Sequence, residues 1–343
     1  MSIITKFEID MLNVGAADAI LLHAFAKIKG KEWEYVVLVD AGNEGDGAKI
    51  INHINKYYEQ KYIDLAICTH CDSDHYGGFK ELIEEHKKQK AFSIRKFWVH
   101  DPYKHVNIND VKFVRTNPTL KQRLHDAYAF NDGSNLLDMI DKSGIPREEA
   151  FTGKKYIPLN IKVLGPDKDY YESLIPDFSD DLAFKTEEED FDLETYNFSE
   201  EDKSEIYSQT LEEANDDPSK VNQSSIIFSF SAFNNTYLFT GDAGKDALHR
   251  VINIDYWNIL KHIHWLKVPH HGSKHNLDND IIEYFHPDIS YISTEKYGKF
   301  VNRCTVNALK KVGNVYSTQD DNGSKWHHVK TDYREDYSSS QKL

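Results

Sequence analysis

Between Thr69 and Gly78 the chain reads Thr69-His70-Cys71-Asp72-Ser73-Asp74-His75-Tyr76-Gly77-Gly78. Four residues able to ligate a metal, His70, Asp72, Asp74 and His75, fall within six positions, directly after an apolar run at 63–68 that reads as a short buried strand. Carboxylate and imidazole side chains crowded at a strand end repel one another or need individual partners, so this density is costly without a cation. Imidazole nitrogen with carboxylate oxygen suits Zn²⁺, Mn²⁺ or Fe²⁺ better than Ca²⁺ or Mg²⁺. On a strand-to-loop turn, His70 and Asp72 can face one ion while Asp74 and His75 face another. Gly77-Gly78 then lets the backbone turn into a helix that starts at Phe79.

Two further stretches converge on the same chemistry. Phe239-Thr240-Gly241-Asp242 is a strand ending in a carboxylate beside glycine, placed to bridge two cations. Lys267-Val268-Pro269-His270-His271-Gly272-Ser273 is a strand ending in two histidines. Alone, Asp242 reads more often as a turn residue or helix N-cap, and the histidine pair equally as ligands or a surface loop. Beside the His70–His75 cluster, one dinuclear site accounts for all of them.

Strand-like runs at 7–14, 19–25 and 34–39, close together and bounded by Gly15, Gly30 and Gly42, predict antiparallel neighbours. Helical spacing follows at 46–58 and 79–90, a strand at 94–99, and a helix around 120–139. Strands at 224–230, 236–239, 263–268, 289–292 and 314–317 alternate with helices at 243–252, 278–285 and 305–312. Two blocks of strands with flanking helices predict a layered α/β fold of two packed sheets. With 40% hydrophobic residues, a core large enough to exclude global disorder is available. We expect one domain over 1–330 and a polar, fraying C-terminal tail at 331–343.

The net charge of −15 belongs to one segment. Residues 167–220 hold 20 Asp and Glu against 4 Lys, a net of −16, so the remainder is +1. This tract reads as an acidic insertion that decorates the core and offers a surface to a protein partner, while the balanced remainder is compatible with a polyanionic substrate. Lys87, Lys88 and Lys90 with Arg95 and Lys96 form the dense basic cluster near a motif, and read as a solvated helix end. Three cysteines are too few for a disulfide framework and point to a reducing, cytoplasmic location. The mostly apolar stretch 16–26 is broken by Asp18 and His23 and is too short to cross a bilayer, so no membrane partner is expected.

As a set, the motifs resemble a family. His70-x-Asp72-x-Asp74-His75 resembles the HxHxDH signature of the metallo-β-lactamase superfamily, with aspartate at its second histidine position. Val39-Asp40-Ala41-Gly42 resembles that superfamily's first motif, whose Asp organises the site, and Asp242 resembles its bridging aspartate. A more specific resemblance is to the hydrolase domain of ComEC-type competence (DNA-uptake) proteins. Asn13-Val14-Gly15-Ala16-Ala17-Asp18-Ala19 is similar to their DVGQGDA start, and Leu238–Asp242 and Val268–Ser273 to their LxTGD and VPHHGS segments. The resemblance implies an αββα sandwich with metals at one edge. Where the superfamily places a histidine before the bridging Asp, this chain reads Asn222-Gln223-Ser224-Ser225. Where relatives carry Gly-His-Pro, it reads Tyr297-Gly298-Lys299-Phe300-Val301-Asn302-Arg303.

The expected chemistry is that of two divalent ions, Zn²⁺ or Mn²⁺, about 3.5–4 Å apart around a bridging water. His70, Asp72 and Asp242 are assigned to one ion. Asp74, His75, Asp242 and one of His270 and His271 are assigned to the other, with His271 preferred. His270 is then available to donate a proton or contact phosphate, and Asp40 to hold a ligand loop. The resemblance favours phosphodiester hydrolysis, on nucleic acid, a nucleotide or a phosphorylated small molecule. The alternatives are a lactonase or thioesterase, and a non-catalytic metal-binding protein that uses its acidic insertion for binding.

Overall fold

The computed structural model describes residues 2–88, 92–105, 124, 126–178, 211–294, 302–318, 324–332, 334 and 342. Runs rich in Ile, Val, Leu and Phe form the long strands β1 (Ile3–Met11), β2 (Ile20–Ile28) and β3 (Lys31–Val39). They pair antiparallel, with Phe7 opposite Ala24 and His23 opposite Val36. The first sheet continues in parallel through β5 (Leu65–Ile67), β7 (Phe97–Trp98) and β8 (Arg147–Glu148). A small parallel pair, β4 (Tyr62–Ile63) with β6 (Ser93–Ile94), lies apart from it. The second sheet holds β9 (Lys155–Tyr156), β10 (Ile161–Gly165), β11 (Ile227–Ala232), β12 (Asn235–Phe239), β13 (Trp265–Lys267), β14 (Ile289–Ile292) and β15 (Asn314–Ser317), in that spatial order.

Side chains from the two inner faces interdigitate. Phe7, Leu22, Val37 and Ile67 of the first sheet join Phe228, Phe230, Tyr237 and Trp265 of the second in one buried cluster. Phe7 meets Phe230 and Tyr237 edge-on at 5.0 and 4.9 Å, the geometry that the ring quadrupole favours. The outer faces are covered by helices. Ile50 and Ile54 of α1 (Gly47–Tyr57) bury with the outward residues of β2 and β3, as does Leu82 of α3 (Phe79–Lys87), which follows the single turn α2 (Ser73–Tyr76). On the second sheet the cover comes from α7 (Lys245–Asn253), α8 (Asn279–Phe285) and α9 (Arg303–Leu309). Between these groups lie α4 (Leu136–Ser143), α5 (Lys168–Leu174) and α6 (Lys220–Gln223). The architecture is the αββα sandwich. Among the described residues, no helix is long and apolar enough to cross a membrane.

Several elements differ from expectation. The helix expected around 120–139 lies partly outside the described residues; α4 starts only at Leu136, where the Asn135 side chain accepts from the Leu137 amide at 2.9 Å. A strand not expected from sequence, β16 (Lys325–Val329), pairs with β1 and completes the first sheet. Its histidines hide the alternation. His328 is exposed and stacks on Trp326, whereas the ring of His327 lies 5.7 Å from that of Tyr237, and burial pushes its pKa down to about 3. The acidic insertion is described at its two ends, 167–178 and 211–220. Residues 179–210, 297–301 and Lys90 lie outside the described residues.

Beneath α1 the first sheet encloses a polar cluster. Glu8, Asp10, His23 and Tyr58 are buried there. His23 bonds Glu8 at 2.6 Å and Glu34 at 2.8 Å. Tyr58 donates to Asp10 at 2.6 Å, and Arg334 donates to both Asp10 oxygens at 2.8 and 3.3 Å while contacting Glu8 at 2.5 Å. Arg334, its side chain 9% exposed, therefore anchors the polar tail to this cluster.

The joint between α2 and α3 packs backbone against backbone. Ala41 donates its amide to the His75 carbonyl at 2.7 Å, and a Cβ on Gly78 would meet the Ala41 carbonyl oxygen and, at 2.7 Å, the Gly47 nitrogen. Neither neighbour is a flexible side chain, so Gly78→Ala is expected to destabilise by about 2–3 kcal/mol. The check is a lower urea midpoint at unchanged m-value.

Candidate metal centre

The site forms where loops after β3, β5, β12 and β13 leave the two sheets. Asp40 ends β3 in the left-handed region (φ 54°), a conformation that non-glycine residues keep only where the surroundings enforce it. The enforcing contacts are short. Asp40 Oδ1 accepts from the Thr69 amide at 2.7 Å; Oδ2 accepts from the Thr69 hydroxyl and from His75 Nδ1, both at 2.8 Å. A carboxylate can only accept, so His75 Nδ1 carries a proton and Nε2 is the nitrogen that faces inward. Asp40 thus fixes the orientation of the His75 ring.

Asp242 reaches the site through Gly241, whose φ is +52° and whose Cβ would meet Ser225 at 2.9 Å and Thr69 at 3.0 Å. The Asp242 amide donates to Ser225 Oγ at 3.1 Å. His270 and His271 both have positive φ, 45° and 51°. His271 Nδ1 donates to the Ser293 carbonyl at 2.9 Å, which again leaves Nε2 for the site. His70 Nδ1 is near the hydroxyls of Thr69 (3.0 Å) and Ser225 (3.3 Å).

These supports bring the predicted ligands together. His75 Nε2 is 3.2 Å from Asp242 Oδ2 and 3.7 Å from Asp74 Oδ2. His271 Nε2 is 3.2 Å from Asp74 Oδ2 and 3.9 Å from Asp242 Oδ2. His70 Nε2 is 3.6 Å from Asp72 Oδ2, and the His70 and His75 rings lie 4.1 Å apart. Donor atoms within 4.8 Å of one another define the groups His70–His75–Asp242 and Asp74–His75–His271. His75 therefore stands between the two groups instead of belonging to the second alone. His271, not His270, enters the cradle.

The residues fit divalent cations. The Nε2 atoms of His70 and His75 are buried without a hydrogen-bond partner among the described residues, a costly state that a cation would relieve. Burial opposes charge on His75, yet Asp242, Asp74 and Asp40 together hold its pKa well above the ordinary value. Burial likewise opposes ionisation of Asp74, but His75 and His271 hold its pKa down at about 2. For Asp242, His75 and Lys267 outweigh burial and push the pKa well below the usual carboxylate range. The formal charges agree. Asp18, Asp40, Asp72, Asp74 and Asp242 bring five negative charges and Lys267 one positive, leaving four for two divalent ions to balance.

Three contributors escaped the sequence analysis. Asp217, at the end of the acidic insertion, is buried over the site and bonds His270 Nδ1, Asn222 Nδ2 and Asn276 Nδ2, each at 2.9 Å. Burial opposes charge on His270, but Asp217, with Asp242 and Asp74, raises its pKa to about 9. Nothing separates Asp217 in sequence from its many acidic neighbours. Lys267 and Asp18 were visible only as motif letters, although a lysine in an otherwise apolar strand is itself a signal. Residues 222–225 act as supports: Asn222 holds Asp217, and Ser225 holds the Asp242 backbone. In the basic cluster, Lys88 pairs with Glu85, Arg95 with Asp64, and Lys96 with Glu148.

Residues 31–153 match the family described as the metallo-beta-lactamase superfamily. The chain is also 23% identical over 308 residues to ComE operon protein 3 of Bacillus subtilis (strain 168). That alignment takes in 85% of this chain and 29% of the relative, so the chain spans less than a third of that protein's length.

Proposed function

We propose that this chain, whose residues 31–153 match the metallo-β-lactamase superfamily, is a metal-dependent hydrolase of that superfamily and, more specifically, a dinuclear phosphodiesterase acting on nucleic acid, a nucleotide or a related phosphorylated small molecule. One observation carries the reading: two inward imidazole nitrogens, those of His70 and His75, without hydrogen-bond partners among the described residues and set among converging carboxylates. His70, Asp72, Asp74, His75, Asp242 and His271 would hold the ions, and the carboxylate-rich set admits Mn²⁺ as well as Zn²⁺. Divalent ions held there would supply an acidified water and charge to stabilise the oxygens of a displacement at phosphorus. The chain's own residues do the rest. Asp40 fixes the His75 ring, Ser293 fixes the His271 ring, and Asp217 fixes His270. His270, whose side chain is 22% exposed at the rim, is the group we assign to proton delivery towards the leaving oxygen.

Resemblance to the DNA-uptake hydrolase domain favours phosphodiesters over acyl substrates. The test supplies Mn²⁺ or Zn²⁺ and compares bis-p-nitrophenyl phosphate, single-stranded DNA, RNA and cyclic dinucleotides with an aryl ester and a lactone. Phosphodiester turnover that Asp74→Ala abolishes is expected. Ester or lactone turnover with every phosphodiester left intact would contradict the proposal.

A further inference from the structure

Lys267 ends β13, a strand with neighbours on both sides in the second sheet, and is 1% exposed. A lysine so placed needs its charge compensated and its three N–H donors accepted. Strand alternation puts it on the same face as Trp265, towards the layer between the sheets. There Nζ donates to the Gly241 carbonyl at 2.9 Å and to Asp242 Oδ1 at 3.3 Å, and it pairs closely with Asp18 on the loop after β1. One ammonium thus ties together loops from both sheets beneath the metal cradle. Asp242 Oδ1 also accepts from the His270 amide at 3.2 Å. With that oxygen taken twice, Oδ2 is the one presented to His75 and His271. Asp18, Asp40 and His75 form a further group of clustered donor atoms, and at Asp18 the positive charge is already resident.

We propose that Lys267 is a positioning residue that pins Asp242 with a single oxygen towards the metal ions and serves as the built-in cation for Asp18. The inference rests on the two-ion reading of the site. It assigns Lys267 a part in building the metal centre, where a structural role would confine it to holding the sheets together. Asp18→Asn removes one charge but keeps the ammonium on Asp242. The double variant Lys267→Met/Asp18→Asn has the wild-type formal charge but lacks the ammonium, so comparing the two separates orientation from charge.

The experiment titrates metal-stripped full-length protein with Mn²⁺ alone, following binding by calorimetry and the exchange-coupled two-ion signal by electron paramagnetic resonance. Unfolding in the presence of chelator is recorded in parallel. The double variant is expected to bind Mn²⁺ about 10–100-fold more weakly than wild type, the scale on which residues behind metal ligands act, and to lose the coupled signal. Asp18→Asn should keep that signal. Wild-type affinity and an unchanged signal in the double variant, with only its melting temperature lowered, would overturn the proposal. Should the double variant not fold, Lys267→Gln is read against the same two outcomes. Failure of wild type itself to bind Mn²⁺ would instead remove the two-ion reading.

Discussion

Asp242→Asn is expected to lower metal-dependent phosphodiester turnover by roughly 10³-fold, the scale on which loss of one group from a preorganised charged site acts. The substitution keeps the shape but removes the charge that faces His75 and His271 and that Lys267 compensates. A neutral amide there leaves Lys267 with Asp18 as its remaining charged partner and weakens both donor groups together. Bound metal per chain should fall with turnover, which elemental analysis of the purified variant checks. Full metal content and wild-type turnover would exclude Asp242 as the shared ligand.

Arg334→Met is expected to cost about 3–5 kcal/mol of stability, the penalty for removing one partner of a buried ion pair. Asp10 is fully buried and Arg334 nearly so, with three N–O contacts of 2.5–3.3 Å to Asp10 and Glu8. Burial opposes ionisation of Asp10, but His53, Arg334 and Tyr58 hold its pKa down at about 2. A carboxylate depressed from 3.8 to about 2 contributes stability above its unfolded pKa and loses it as pH falls between the two values. The gap between wild type and variant should therefore be widest near neutrality and close as pH approaches 2. Urea unfolding at a series of pH values reads this, and a gap independent of pH would contradict it. Metal affinity should not change, because the cluster lies under α1, away from the cradle.

The parts of the candidate site that were legible in sequence are those that cluster at one strand end. His70 and Asp72 precede the single turn Ser73–Tyr76 that carries Asp74 and His75, so their spacing alone suggests a candidate cation site. Asp242 and His271 were legible because each closes a short apolar run beside a glycine, the form a ligand loop takes when backbones must approach closely. Asp217 was not, since its role depends on a buried pocket built by Asn222 and Asn276, and one carboxylate in an acidic tract looks like its neighbours. The choice between His270 and His271 needed the left-handed turn, which sends the two rings to different partners. In the fold, the hydrophobic runs declared the inner strands. The edge strand β16 escaped because its inward positions are filled by Lys325 and His327. Arg334 escaped because a polar tail gives no sign of a buried acidic pocket awaiting it.

On the proposed reading, this chain holds two catalytic divalent ions. The most direct test is equilibrium dialysis of stripped protein against Mn²⁺ or Zn²⁺, with bis-p-nitrophenyl phosphate turnover measured on the same samples. About two ions per chain are expected, with turnover rising as they bind and absent in Asp74→Ala. Retention of neither ion, with no turnover at any concentration of either, would contradict the account.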